Sequence, residues 1–433
     1  MSGSERVHLK RDITSFGAIL LVLNGVIGVG IFALPAKAVG AVGVFAPWLF
    51  PIFGLLMITV VLTFAELASY FKKTGGPVVY AEKAFGPMVG FQTGWLLYLG
   101  RLTAFAANLN AMILYASYLF PEVDAGIWRV ALIFLLCLTL VMVNIAGVKE
   151  AVKMVNLMTI LKLTPVLVLI LLAIPHISSD VLMPQEIPPL TDIEGAALLL
   201  LYAFVGFEGV LMTAGETTNP RKTIPRALVG TVIIIAVLYF LIQITYMAAV
   251  PDNNPDGAPL IAVGQVLAGP VGAVVITLAI VFSIIGNLSS IVVAAPRITF
   301  ALAKAGSLPK WFGEIHDKHS TPHKSIIFLG SVAFILAVSG SFVYLAIVSS
   351  LARMVAFGIC IAGLPIVRKK ADPETRAQAW TLKGGYIIPA IGFSLCVWAA
   401  LQSSQDSFLM LVGMMILGTG LYLFARYQNK DDA

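Results

Sequence analysis

The sequence predicts an all-α polytopic membrane protein with about twelve transmembrane helices, and three observations support this fold class. Of the 433 residues, 59% are hydrophobic and 12% are charged, whereas an average soluble protein has about 25% charged residues. The mean hydropathy is +0.95. Apolar runs of about 20 residues, enough to cross a hydrocarbon core of about 30 Å, recur between short polar segments. The composition excludes a soluble enzyme, a disordered protein and a secreted disulfide scaffold.

In chain order, the apolar runs define twelve predicted spans. Their limits are 14–36, 42–70, 88–120, 128–146, 152–175, 192–215, 227–250, 270–302, 325–346, 348–367, 386–404 and 408–427.

The basic residues predict the orientation of these spans. Twenty-three of the 28 lysines and arginines fall in segments on one side, and the segments on the other side hold only Lys37 and Arg129. The positive-inside rule then places both termini in the cytoplasm. The basic excess indicates contact with anionic membrane lipids rather than with nucleic acid. We expect a multi-pass protein of the inner, cytoplasmic membrane.

Four charged residues remain inside the predicted spans: Arg101, Lys162, Glu208 and Arg353. A charge at the centre of a transmembrane helix costs at least about 2.5–3.5 kcal/mol, so it usually faces a cavity or a partner. These four residues are the first candidates for function. No CxxC, HExxH or similar pattern appears, and we predict neither a catalytic nor a metal site.

Glycines interrupt spans one and six. Span one carries Gly25, Gly28 and Gly30 in its middle and is expected to end at Pro35, while span six carries Gly206 at a comparable depth. Glycine lowers the cost of leaving helical geometry, although it also serves close helix packing. Each of the two interrupted spans is the first of five consecutive spans. This pattern favours an inverted-repeat transporter whose substrate site lies at its discontinuous helices.

A broken span can hold both ends of a zwitterion. Unwinding frees backbone groups at the membrane midplane, where they need partners. The N–H groups at the start of a half-helix favour a carboxylate, and the freed carbonyls favour an ammonium group.

Several stretches in order then resemble one family. They are GVGIFALP (28–35), ELASYFKKTGGPVVYAEKAFGP (66–87), AFVGFE (203–208), ETTNPRKTIPRA (216–227) and APRITFALAKAGSLPKWFGEIH (295–316). With these residues the chain resembles the amino acid–polyamine–organocation (APC) superfamily of permeases, in its Na⁺-independent amino-acid transporter branch.

The resemblance implies the LeuT-type fold in a single permease domain. Residues 14–175 would form the first five-helix repeat, residues 192–367 the second, inverted repeat, and residues 386–427 two peripheral helices. Spans one and six would be discontinuous.

The resemblance also implies a substrate site at the two broken spans. Its predicted residues are Gly25, Val26, Gly28, Val29, Gly30, Ala203, Phe204, Gly206, Arg101 and Asn287. Within this set, Val29 stands where the family usually has serine or threonine, so the hydroxyl that helps to hold the substrate carboxylate is missing. Phe204 fits an aromatic lid, and the alternative is that it only packs in the core.

Lys162, about ten residues into span five, is predicted to replace a sodium ion, as a span-five lysine does in Na⁺-independent members of the superfamily. Its ammonium group would bridge carbonyls near Gly25 and Val26 to hydroxyls such as those of Ser289 and Ser290. If desolvation makes it titrate, it could also carry a coupling proton.

The other three intramembrane charges have two interpretations each. Glu208 is either a proton-responsive group or an anchor for the second half of span six. Arg101 and Arg353 either accept an acidic substrate side chain bidentately or pair within the bundle, for instance Arg101 with Glu208.

We therefore expect a Na⁺-independent permease or exchanger of L-α-amino acids, neutral ones by preference, coupled to protons or working by exchange. One alternative is a glutamate or aspartate transporter that uses Arg101 and Arg353, and an alternative of another class is a transport-inactive amino-acid sensor. The expected partners are the amino acid, a proton as the candidate co-substrate, and lipids.

We expect no enzyme activity and no cofactor, and a monomer or homodimer. An accessory subunit joined through an outer-loop cysteine is not expected, because Cys137, Cys360 and Cys396 all lie inside apolar runs.

Overall fold

The structure, a computed structural model, describes residues 15–71, 75–118, 120–146, 151–183, 186–211, 217–250 and 258–431. This part of the chain is all α-helical apart from turns and short 3₁₀ segments, which confirms the predicted fold class. The α-helices are α1 (Ser15–Val26), α2 (Gly30–Val42), α3 (Ala46–Ser69), α4 (Pro77–Phe85), α5 (Pro87–Ala116), α6 (Gly126–Ala146), α7 (Ala151–Ala173), α8 (Ser179–Leu182), α9 (Leu190–Leu201), α10 (Glu208–Leu211), α11 (Pro220–Ala249), α12 (Pro259–Lys304), α13 (His323–Ser339), α14 (Phe342–Lys370), α15 (Pro373–Gln378), α16 (Ile387–Leu401) and α17 (Gln405–Asp431).

Each of the twelve predicted spans overlaps a helix or a pair of helices. The turn between spans nine and ten lies at Gly340 and Ser341 rather than at residue 347, because α14 begins at Phe342 and continues through this position. In the described part of the chain, six helical stretches are long and apolar enough to cross a membrane by themselves. They are Gly30–Ser69, Gly126–Ala146, Thr223–Ala249, Pro259–Lys304, Phe342–Lys370 and Gln405–Asn429. The chain is thus a multi-pass membrane protein.

The prediction that span one ends at Pro35 is wrong, because α2 continues through this residue to Val42. A proline within a helix removes only the N–H that would bond to the carbonyl four residues earlier. Here that acceptor belongs to Ile31 in the first turn of α2, so a single bond is lost. The Gln243 side-chain amide donates to the Pro35 carbonyl at 3.0 Å and ties α11 to α2 at this point.

Helix α12 bends before it enters the bundle. Ala268 and Gly269 have non-helical backbone angles, and the φ of Gly269 is +64°. Pro270 follows directly, and its fixed φ suits the first turn of a new helical segment. The predicted start of span eight at residue 270 falls at this bend.

Burial separates a central helix from two peripheral ones. In the apolar 18-residue segment of α14, 78% of the residues are buried. The corresponding segments of α6 and α17 are 17% and 22% buried. Helix α14 packs along α5, and α11 packs along α3. Large apolar side chains such as Phe134 on α6 and Leu417 on α17 are exposed. They are the surface expected to face lipid.

Part of the topology prediction rests on residues outside the described ranges. These residues are Arg6, Lys10, Arg11, Lys72, Lys73, Lys149 and the outer segment 251–257.

Candidate functional site

The backbone leaves helical geometry inside two predicted spans. Residues 27–29 separate α1 from α2, and residues 202–207 separate α9 from α10. Both interruptions fall at the glycine-containing stretches, which confirms the prediction that spans one and six are discontinuous.

The two breaks touch each other through glycines. Gly206 has a φ of +113°, a value that side-chain-bearing residues rarely adopt. A Cβ atom on Gly206 would lie 2.5 Å from the carbonyl oxygen of Gly25, and one on Gly25 would lie 3.2 Å from the carbonyl oxygen of Gly206. The glycines therefore permit both the break and the close approach of the two backbones.

The first break exposes the start of a half-helix. The first turn of α2 is closed by the N–H groups of Phe32 and Ala33, which donate to the Val29 carbonyl at 2.9 and 3.1 Å. The N–H groups before them have no acceptor within α2, as at every helix start. The Gly28 carbonyl accepts a hydrogen bond of 3.2 Å from the hydroxyl of Ser283 on α12.

The second break exposes carbonyl oxygens. Ala203 and Phe204 donate their N–H groups three residues back, to Leu200 and Leu201, at 3.0 and 2.9 Å. Among the described residues, no backbone N–H donates to the carbonyls of 203–205. These carbonyls can therefore accept from a positively charged group.

Lys162 is buried against the first break. Its ammonium group donates to the Ile27 carbonyl at 2.6 Å and to the Asn24 side-chain oxygen at 3.2 Å. The Asn24 amide in turn donates to the Ser290 hydroxyl at 2.9 Å. One lysine thus joins α7 to the break, and through Asn24 it joins α1 to α12.

These contacts differ in detail from the predicted bridge. The backbone acceptor is the carbonyl of Ile27 rather than one near Gly25 and Val26, since the chain turns at residue 27. Ser290 is reached through the Asn24 amide. In the described part of the chain, Ser289 forms no hydrogen bond to this group.

Glu208 lies between two arginines. Its Oε1 is 3.2 Å from Arg353 Nε and 3.4 Å from Arg101 Nη2. The Arg353 guanidinium also donates to the Gly100 carbonyl at 2.8 Å and to the Ser349 hydroxyl. Arg101 Nε is buried and has no hydrogen-bond partner within the described part of the chain. The pairing of Arg101 with Glu208, one of the two predicted interpretations, is present in this conformation.

Glu208 also holds its own break in shape. Its second carboxylate oxygen, Oε2, accepts a hydrogen bond of 2.9 Å from the N–H of Gly206. The side chain is completely buried. Glu208 therefore joins the positive-φ glycine of the second break to arginines from α5 and α14.

A small cavity lies where these groups meet. Its volume is about 30 Å³. Its walls are formed by Gly25, Val26, Gly28, Arg101, Ala104, Tyr202, Val205, Gly206, Asn287, Ile291 and Arg353. A solute of more than a few heavy atoms enters only if the surrounding helices move apart.

Four of the predicted substrate residues lie outside the cavity wall. Phe204 lies near Gly54 of α3, and Ala203 is buried beside it. Val29 is buried, and Gly30 lies beside Tyr202 and Tyr239. In this conformation the aromatic residue at the cavity is Tyr202 rather than Phe204.

Three polar residues of the site, Asn24, Ser283 and Tyr202, are not among those predicted from the sequence. Asn24 immediately precedes Gly25, so its position at the break was a usable signal. Ser283 is seven residues before Ser290 and lies on the same helical face, as the helical period indicates. Tyr202 carried no such signal, because it lies in the unwound segment.

Comparisons with known proteins identify the family of the chain. A family model described as "Amino acid permease" matches residues 13–421. A branched-chain amino acid permease of Bacillus subtilis (strain 168) is 24% identical, over 98% of this chain and 94% of the relative. A serine/threonine exchanger of the same organism is 29% identical, over 90% of each chain. A human cystine/glutamate transporter is 26% identical, over 99% of this chain and 88% of its own.

Proposed function

Because the chain belongs to the amino acid permease family, we propose that it carries L-α-amino acids across the cytoplasmic membrane by alternating access, as a Na⁺-independent secondary transporter. In this proposal residues 14–175 and 192–367 are the two inverted repeats, and residues 386–427 are peripheral helices. Both termini lie in the cytoplasm.

The contacts of Lys162 carry this proposal. A buried ammonium group needs oxygen acceptors, and here these are the Ile27 carbonyl and the Asn24 amide at the broken span. A cation at this position holds α1, α7 and α12 together around the break. Since the charge is covalently attached, the site keeps it at any Na⁺ concentration.

The two breaks supply the groups that a zwitterion needs. The substrate carboxylate binds the N–H groups at the start of α2, where the helix dipole also favours a negative charge. The ammonium group binds carbonyls of residues 203–205. The 30 Å³ cavity lies at this site, and in this proposal the two breaks separate to admit the substrate.

Our main candidates are neutral L-α-amino acids, because Glu208 already pairs with both Arg101 and Arg353. The coupling is either proton symport or exchange, with Lys162 and Glu208 as the groups able to take up a proton.

Acidic amino acids are the second candidate class. Two guanidinium groups share one carboxylate at the cavity, and no described residue forms a hydrogen bond with Arg101 Nε. A second carboxylate from the substrate would balance this charge and could bind bidentately.

Counterflow in proteoliposomes tests the proposal. Labelled neutral and acidic amino acids enter against internal unlabelled substrate at zero Na⁺, with and without an inward proton gradient. We expect saturable uptake of neutral substrates by the wild type and loss of uptake in Lys162→Ala. Lys153→Ala is the control, because Lys153 is predicted to lie at the cytoplasmic end of the same helix.

Three outcomes would contradict the proposal in different ways. Uptake only in the presence of Na⁺ would overturn the role of Lys162. Uptake confined to glutamate or aspartate would select the second candidate class. Saturable binding without counterflow of any amino acid would indicate a sensor.

A further inference from the structure

A buried hydroxyl lies beside the start of α2 without a partner. Tyr239 on α11 is 1% exposed, and its Oη has no hydrogen-bond partner among the described residues. The hydroxyl lies 3.0 Å from the position that a Cβ atom would take on Gly30. The ring is held against Phe50, with the two centroids 5.1 Å apart.

The contact places the hydroxyl beside the start of α2. Gly30 is the first residue of this helix, and the Tyr239 hydroxyl is the atom nearest to its Cβ position. The N–H groups of the first helical turn, which have no acceptor within the helix, belong to the same end of α2. One O–H donor and several N–H donors therefore lie at the same end of this helix.

This place adjoins the cavity. Tyr202 lines the cavity, and its Cδ1 lies 3.6 Å from the same Cβ position on Gly30. Because Gly30 has no side chain, no side-chain atom of that residue separates the Tyr239 hydroxyl from the Tyr202 ring. Movement of the second break would bring a solute in the cavity to the Tyr239 hydroxyl and to the Tyr202 ring.

We propose that Tyr239 binds the carboxylate of the substrate together with the N–H groups at the start of α2. The hydroxyl that position 29 lacks, because it is valine, is thus supplied from α11. Donors at a helix start that have no acceptor among the described residues favour an anion, and the α-carboxylate is the anion common to all amino acids. This inference rests on the proposed function.

The test is Tyr239→Phe, which removes only the hydroxyl. We expect the KM for the transported amino acid in counterflow to rise about tenfold or more, as for a lost hydrogen bond to a charged group. Inhibition by the α-carboxamide of the same amino acid, which has no carboxylate, should be unchanged. Tyr98→Phe is the matched control. The Tyr98 hydroxyl is also buried and forms no hydrogen bond with a described residue, and its ring stacks on Trp95.

A rescue distinguishes binding from a general packing effect. Val29→Ser restores a hydroxyl to the first break, so the double variant Val29→Ser with Tyr239→Phe should recover most of the lost affinity. Elution from a sizing column confirms that each variant is folded.

The proposal is overturned by an unchanged KM in Tyr239→Phe, by an equal rise in Tyr98→Phe, or by equal weakening of the carboxamide. A double variant that stays as weak as Tyr239→Phe also contradicts it. In these cases wild-type counterflow persists, and the proposed function stands. Absence of counterflow in the wild type would overturn both.

Discussion

Gly206 combines two constraints at one residue. Its φ of +113° is unfavourable for an L-amino acid, and its Cα faces the Gly25 carbonyl so closely that no side-chain atom fits between them. Either constraint alone would favour glycine. Together they make this position the most restrictive of the second break.

Gly206→Ala is therefore expected to lower thermal stability and abolish counterflow. The backbone strain alone is about 1–3 kcal/mol, and the new Cβ would lie 2.5 Å from the Gly25 oxygen. Gly230→Ala on α11 is the control, because no atom lies within 4 Å of its Cβ position. Equal melting temperatures in detergent for the two variants would contradict this steric account.

Glu208→Gln is expected to destabilise the bundle strongly. The amide keeps the size of the side chain but leaves Arg101 and Arg353 buried without an acid, and breaking a buried ion pair costs about 3–5 kcal/mol. Adding Arg353→Gln should recover part of the lost stability, since it removes one uncompensated charge.

Glu314→Gln gives the comparison for Glu208→Gln. Glu314 pairs with Lys324 near the surface, where an ion pair contributes about 0–1 kcal/mol. If thermal unfolding shows the two variants to be equally stable, Glu208 is not the structural centre of its cluster.

At the scale of elements, three helices meet at one side-chain relay. Lys162 extends from α7, Asn24 from α1 and Ser290 from α12, and the relay ends on the broken segment at Ile27. A change in the distance between any two of these helices must therefore break or lengthen one of its bonds.

Ser290→Ala and Ser289→Ala form a matched pair for this relay. Removal of the Ser290 hydroxyl deletes the hydrogen bond to Asn24, worth about 1 kcal/mol, and we expect a several-fold slower counterflow. Ser289→Ala should transport at the wild-type rate. Slowing in both variants, or in Ser289→Ala alone, would show that the relay does not run through Ser290.

The helices and their breaks could be predicted because their signals are local. Apolar length sets each span, and glycine marks where helical geometry can end. Pro35 was misread because a proline near the start of a helix costs only one bond. Tyr202 and Phe204 could not be told apart, because an unwound segment has no fixed period that assigns side chains to faces. Asn24 acquires its role only through neighbours on α7 and α12.

At the scale of the whole molecule, the charged groups lie in a bundle surrounded by less buried helices. Helix α14 is largely buried, whereas α6 and α17 present apolar surface outward. The four charged side chains of the site are therefore kept away from the lipid-facing surface.

The predicted orientation can be tested by labelling whole cells. The three native cysteines are buried, so they should give little background with a membrane-impermeant thiol reagent. Gln405→Cys, exposed at the start of α17, should label from outside, and Ala377→Cys, exposed on α15, only after the cells are opened. The reverse pattern would invert the topology that the basic residues predict.

The attached cation at position 162 has an electrical consequence under the proposed mechanism. A transporter driven by a mobile Na⁺ moves one positive charge inward per cycle and gains about 2.3 kcal/mol per 100 mV of membrane potential. The ammonium group of Lys162 never leaves the protein, and a zwitterionic substrate has no net charge. Exchange of neutral amino acids should therefore produce no current. Any current measured during uptake would be carried by co-transported protons, and its size relative to the uptake would give the number of protons per substrate.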